Sequence, residues 1–592
     1  MPDFFEIMRK LLPLILSLLP LVAYSAPMSE STCRKVAARF LAAETGGYDL
    51  NSLRLANEKN VTKDGADNNE FYVFDTPKNG FVIVAGDDSV TPIIAYSSNG
   101  RFIDGKSMTN FRWWMDIWAR RISSNREKGV KATAAIRSEW DRYTKEGSAR
   151  GSDGEGTVLE TALWDQNYPY NSCCPKIDGG QAVTGCVATA MGILMKYFEW
   201  PVAGKGSAPA YTYKGYTIPA VKLGEEYDWK NMPISLSIRS SKVQKEAVAT
   251  LLYHAGVIVE SQYGTESTSA YSEEIRNALV TYMDYDKSAT FKYANMYTDK
   301  EWINMIKDNI RETGPVLYGG ASGEEGHQFL VTGYDSADRI YINWGWGGDN
   351  NGFYSYPGVG GFNEGNDALF NVKKNCGGKA QANIALYHLE SSRNPGIKLS
   401  CTEVEKGVPF SATVESFWNT GAEDFNGEVG IAKVDSSDKI LAVIKSGRIS
   451  NLPANNAITR ATFTACTLDT EAETGDKLMC VFKADGDSDW SICRYDKSDA
   501  DLVGEIPLVD PFSIEQATRI YYTSTGILTI TSKTGVTLKL IGPDGNDMTS
   551  IVSSAAGNWV IDSSGLRPAK YRILLTKGSE FKEISISMGL KK

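Results

Sequence analysis

The sequence predicts an α+β chain of several domains, and three observations carry that prediction. Its 592 residues are too many for a single hydrophobic core. Its 42% hydrophobic and 23% charged residues describe globular material. Its hydrophobic pattern changes twice, from helix-strand-helix to a mixed block and then to a tail of short strands set between turns.

Residues 1–25 read as a secretory signal peptide: Arg9 and Lys10, the apolar run Leu11 to Val22, then the small residues Ala23, Ser25 and Ala26. Asp3 and Glu6 are foreign to the basic start of such a signal, so Met8 is a candidate initiator. No later stretch offers about 18 uninterrupted apolar residues, so a secreted chain without a membrane span is expected.

Residues 26–150 form the first folded unit. In CRKVAARFL, Val36, Ala37, Phe40 and Leu41 share one helical face, and two strands flank the turn Pro77 to Gly80. Phe111, Trp114, Met115, Trp118 and Ile122 then form a second apolar stripe. The polar stretch Lys145 to Gly156 reads as a linker open to proteolysis. Residues 157–375 mix helices, including the run from Cys186 and VQKEAVATLLYHAGVIV, with strands such as HQFLVTGY and RIYINWGW. Beyond them, short strands between Gly, Asn, Asp and Pro turns predict two β-sandwich modules, 380–506 and 510–592.

A net charge of −10 without a basic stripe argues against a nucleic-acid partner. Nine cysteines are present: Cys33, Cys173, Cys174, Cys186, Cys376, Cys401, Cys466, Cys480 and Cys493. An exported chain favours paired cysteines, and an odd number leaves at least one thiol over. No Cys-x-x-Cys has a second half, so no zinc site is expected.

Cysteine chemistry needs a thiolate and a base. Cys186 follows Thr184 and Gly185 at the start of an apolar helix, where the positive end of the macrodipole favours the anion. Position alone favours a buried or disulfide-bonded cysteine over a functional one. Only three histidines exist: His254 within an apolar helix, His388 at the edge of the β-rich tail, and His327 at a loop-to-strand junction in the same block as Cys186. NWGWGG supplies Asn343 to orient a ring and the indoles of Trp344 and Trp346 to cover it. Gln166, in LWDQNYPYN, is a candidate oxyanion donor.

WDQNYPYN, GGQAVTGCVATAMGILMKYFEWP, GHQFLVTGYD and YINWGWGGDNNGFY, in that order, resemble the streptopain family of papain-like cysteine peptidases. The resemblance implies a papain-like peptidase domain over 157–375 and an inhibitory propeptide over 26–150. It further implies a secreted endopeptidase made as a zymogen, acting on proteins or peptides without metal or organic cofactor. Cys186 is then the nucleophile, His327 the general base and acid, and Gln166 the oxyanion donor. Whether Asn343 or Trp344 meets the imidazole stays open. Ser269, Gly326 and Trp346 fall at the substrate cleft. Two departures stand out: Cys173 and Cys174 in a shortened loop, and Glu325 where a glycine is common. The C-terminal stretch resembles sorting domains, although Lys570 replaces the usual glycine, so cell-surface association is a further expectation. The competing readings are an adhesin built on a peptidase-like domain and a Cys-His acyltransferase.

Overall fold

The computed structural model describes residues 27–45, 50–56, 68–103, 109–145, 156–322, 325–356, 366–388, 395–402, 404–473, 475–508, 519–522, 527–531, 536–555, 558–563, 566–577 and 580–588. The expected signal peptide and most of the polar linker lie outside the described residues.

The N-terminal domain packs helices α1 (Glu30–Thr45), α2 (Thr109–Lys128) and α3 (Ala134–Thr144) around strands β1 (Phe71–Asp75), β2 (Phe81–Ala85) and β3 (Ile93–Ser97). The turn between β1 and β2 closes through Thr76 N–H on Gly80 O at 2.8 Å, with Asn79 at φ 59°. β2 is buried at every position, as its unbroken run FVIVA requires of a strand covered on both faces. The stripe of α2 is buried as its spacing predicts, from Phe111 through Trp114, Met115 and Trp118 to Ile122.

In the next block, helix α4 (Cys186–Phe198) is the buried centre, with every residue from Val187 to Met195 out of solvent. Helices α5 (Lys242–Ile258) and α6 (Ser272–Tyr282) share its apolar core. Capping boxes start α5, through Ser241 and Gln244, and α7 (Asp299–Glu312), through Thr298 and Glu301. Six antiparallel strands complete the block: β4 (Thr290–Tyr293), β5 (Val316–Ser322), β6 (Glu325–Tyr334), β7 (Ile340–Asn343), β8 (Gly352–Tyr354) and β9 (Asp367–Phe370). Their order is β8-β7-β6-β5-β9-β4. Alternation along β6 sends Leu330 into the core around α4 and Phe329 and Val331 into the core shared with the N-terminal domain.

The two domains share one sheet. β8 pairs antiparallel with β3, Phe353 opposite Tyr96 and Tyr354 opposite Ala95, giving an eleven-stranded sheet. The hydrophobic core follows that sheet across the domain boundary.

The tail is β-rich, as its pattern predicts. Strands between Ile384 and Pro507 enclose Phe410, Ile431 and Phe482, while a four-stranded and a three-stranded sheet between Arg519 and Met588 enclose Leu528, Leu540 and Ile573. Arg494 Nη1 reaches Glu301 Oε1 at 3.0 Å and its guanidinium lies 4.9 Å from the Tyr297 ring centroid, so the first tail module grips α7. No helix among the described residues is long and apolar enough to cross a membrane.

The cysteines correct one expectation: all nine are free thiols. Cys33, Cys174, Cys466, Cys480 and Cys493 are buried and act as small apolar side chains, which needs no partner.

Asp286 closes the block on itself. Fully buried, it accepts hydrogen bonds from the Ser288 N–H and hydroxyl and from the N–H groups of Cys376 and Gly378 at 2.5–3.0 Å. Burial alone would raise this carboxyl; the hydrogen bonds overcome it and hold the group far below the usual carboxylate range. A depressed carboxylate stabilises the fold above its unfolded pKa, and that contribution is lost as pH falls through the folded value. Asp286→Ala is expected to destabilise the block by about 3 kcal/mol at pH 7, because buried donors lose a charged acceptor. Urea unfolding at pH 7 and pH 3 checks both this loss and a shrinking difference in acid.

Candidate active site

The approach to α4 is built to present Cys186. Gly185 sits at φ 84°, and a Cβ there would lie 2.7 Å from Thr268 O, so a side chain is excluded on two grounds. Thr268 Oγ1 donates to Val183 O at 2.7 Å, Thr184 N–H to Gln166 O at 3.1 Å, and Asn171 Nδ2 to Ala182 O at 2.9 Å. The loop is thus tied down from three directions just before the helix starts.

No side chain caps α4. Its first N–H groups are free for the cysteine instead, and Cys186 Sγ meets its own N–H and that of Val187. The third donor to this sulfur is the N–H of Gln328, the residue after His327. That N–H is open because β7 pairs with β6 only from Leu330 to Tyr334. Where the ladder stops, the helix N-terminus takes its place.

His327 is 5% exposed and its ring stacks on an aromatic wall: Trp346 at 5.5 Å, Phe329 at 5.9 Å and Trp344 at 6.3 Å between centroids. The backbone of Trp344 hydrogen bonds to the imidazole, whereas Nε2 has no partner. Asn343 is committed elsewhere. Its Nδ2 donates to Thr161 Oγ1 and Ala162 O, both at 3.0 Å, and its Oδ1 accepts from Gly345 N–H at 3.1 Å. Of the two candidates to meet the ring, the structure therefore brings up Trp344, through its backbone, and not Asn343.

Burial raises the Cys186 thiol despite the three backbone donors, and burial lowers the His327 imidazole to about 3. The two side chains do not hydrogen bond to each other. Cys186 keeps part of its surface in solvent, and burial still outweighs the three donors and holds its thiol above the usual range. The N-terminal domain packs behind the wall on which the ring stacks. Trp114 of α2 packs edge-on against Phe329 and Trp344, at 6.4 and 6.3 Å, and Phe111 against Trp344 at 6.3 Å. Asn350 grips the same domain, accepting from Ile103 N–H at 2.8 Å and donating to Ile103 O at 2.9 Å.

Of the other expected residues, Gln166 is half-buried beside the Cys186 loop, and Gly326 is exposed directly before His327. Trp346 covers the imidazole. Ser269 is exposed and paired with Gln262 through N–H to O bonds of 2.8 and 3.4 Å. The side chain of Glu325 lies outside the described residues. Of the remaining histidines, His254 meets the Tyr227 hydroxyl at 2.9 Å and His388 meets Asp499 at 2.7 Å. Sequence reasoning missed Gln328 and Asn350. The former had a signal, an amide directly after the histidine and before the apolar run Phe329 to Val331.

Helix-borne thiol, strand-borne imidazole and an N-terminal domain sharing their sheet define the class of papain-like peptidase domains that carry their own propeptide. The comparisons with known proteins agree. The family model for the Peptidase C10 family matches residues 164–354, and that for the Spi protease inhibitor matches residues 25–122. The chain is 31% identical to the thiol protease/hemagglutinin PrtT of Porphyromonas gingivalis, over 58% of this chain and 40% of that protein. It is 29% identical to streptopain of Streptococcus pyogenes, over 51% of this chain and 80% of that one. Among solved structures, prointerpain A of Prevotella intermedia is 29% identical with a TM-score of 0.44, covering 54% of this chain and 99% of that one. The chain thus carries a Peptidase C10 domain preceded by a Spi inhibitor domain, the arrangement of a streptopain-like papain-type peptidase with its propeptide. It spans less than half the length of the PrtT protein.

The neutral thiol makes a prediction. In the full chain at pH 7, Cys186 is expected to react with iodoacetamide at least about tenfold more slowly than an ordinary exposed thiol. It should become faster than one after the N-terminal domain is removed. Peptide mass mapping of alkylation rates at Cys186 checks both.

Proposed function

We propose that the chain is the zymogen of an exported cysteine endopeptidase. One observation carries the reading: Cys186 Sγ sits on the first N–H groups of α4 and on the N–H of the residue that follows His327. A sulfur so placed needs only the loss of its cover to become a stabilised anion beside a base.

In the uncovered site, His327 takes the Cys186 proton and the thiolate attacks a peptide carbonyl. The oxyanion that forms is held by the Cys186 N–H and the Gln166 amide. His327 then protonates the leaving amine, and the thioester remains. Water, deprotonated by His327, hydrolyses that thioester and restores the thiol. The Trp344 backbone orients the ring, and Trp346 keeps water off its face. Ser269 and Gly326 border the substrate, and the absence of a Cβ at Gly326 lets a peptide backbone approach. No step calls for a metal or organic cofactor.

Residues 26–150 act as the intramolecular inhibitor, and activation cuts the chain between about Lys145 and Glu160. The signal peptide directs the protein out of the cytoplasm. The two tail modules bind or sort, and the last resembles a sorting domain that would hold the protein at the cell surface. No observation favours the adhesin or the acyltransferase reading.

Matured protein is expected to hydrolyse casein, to be inactivated by a thiol-directed irreversible inhibitor but not by a chelator, and to lose activity as Cys186→Ala. Gln166→Ala should lower kcat about 100- to 1000-fold, the usual cost of one oxyanion donor. Product masses decide between readings, since hydrolysis splits a peptide and acyl transfer joins two. Intact casein with labelled wild-type Cys186 would leave a binding protein.

A further inference from the structure

We infer that the cleft holds a subsite for a cationic side chain of the substrate, a lysine or arginine close to the scissile bond, formed by Asp367 and Gln328 over Gly319. The inference rests on the peptidase reading and adds to it the chemistry of what is cut.

Strand register locates the subsite. Leu330 of β6, Leu317 of β5 and Leu369 of β9 lie opposite one another and pack under α4. One strand period on, on the same face, the row reads Gln328, Gly319, Asp367. Three leucines give way to an amide, no side chain, and a carboxyl. This second row lies at the end of α4 that bears the nucleophile, since the Gln328 N–H touches Cys186 Sγ. Gly319 leaves a notch that its neighbours lean into: a Cβ there would collide with Asp367 Oδ1 and come within 3.2 Å of Gln328 Oε1.

The polar atoms of the notch lack partners. Gln328 is 1% exposed, yet neither its Oε1 nor its Nε2 makes a hydrogen bond, and the buried Asp367 Oδ1 makes none either. Buried polar atoms are almost always bonded, so three bare atoms converging beside a nucleophile mark a place where something binds. Asp367 accepts only the Gly319 N–H, and burial with Glu273 of α6 nearby pushes its carboxyl up to about 7. Tyr293 and Tyr318 also feel its charge, and no lysine or arginine is among the groups acting on it. An apolar substrate side chain would leave the bare atoms bare, and an anion would face two carboxyls. A cation supplies donors to Asp367 Oδ1 and Gln328 Oε1 and the charge that Asp367 lacks.

The test uses matured wild-type enzyme with a peptide series carrying lysine, arginine, norleucine, leucine or glutamate at each of the three positions on either side of the cut. At one position, kcat/KM with lysine or arginine is expected to exceed norleucine about tenfold or more. Asp367→Asn should bring that ratio near one, and Gln328→Leu should lower it. A ratio near one in wild type, or one unchanged by Asp367→Asn in protein that melts like wild type, overturns the inference and leaves the peptidase reading standing. If Asp367→Asn does not fold, Glu273→Gln on exposed α6 decides: a two- to threefold fall in the ratio supports the subsite and no change overturns it. Matured wild type that cleaves neither these peptides nor casein removes the reading and the subsite together.

Discussion

The meeting of a bare helix N-terminus with the unpaired edge of a strand is the constraint from which the rest follows. α4 has no side-chain cap, and β6 has no partner on its β7 side at Gln328. Each end would leave buried N–H groups unsatisfied. Brought together around one sulfur, both sets of donors find an acceptor, and the geometry of Cys186 is set by backbone. Gly185 makes the approach possible, because the left-handed turn and the close passage of Thr268 O leave no room for a Cβ. The second half of the block is arranged to keep this junction open: β7 ends at Asn343, whose amide is spent tying the Thr161 segment down.

The N-terminal domain controls the same junction from behind. It adds its sheet to that of the catalytic block through β3 and β8, and its Trp114 and Phe111 press the aromatic wall on which His327 stacks. Burial there disfavours the imidazolium of His327, while the thiol of Cys186 is raised by its own surroundings. What the structure shows is an imidazole held in an aromatic stack and a sulfur to which it does not hydrogen bond.

What was legible in the amino-acid order was local. The α4 run, the Phe111–Ile122 stripe and the strands around Pro77 follow from periodicity and turn chemistry, and each element stands where its pattern puts it. His327 and Cys186 stood out because histidine is scarce and the helix start is distinctive. What depends on distant neighbours was not legible. Asn343 looks like an orienting residue until Thr161 and Ala162 claim its amide from nearly two hundred positions away. The role of Gln328 rests on where β7 happens to end. Counting cysteines predicted pairing, but five of the nine are buried apolar groups in cores.

The β3–β8 junction has a consequence for the shortened product. Without the N-terminal domain, β8 would become a raw margin of the sheet, its N–H and C=O groups facing water and the Phe353 ring stripped of Tyr96, which stacks on it at 5.0 Å. Long margins of this kind invite self-association. At three residues, β8 offers a short template, so parting the sheet at this junction would bare little backbone for another copy to pair with.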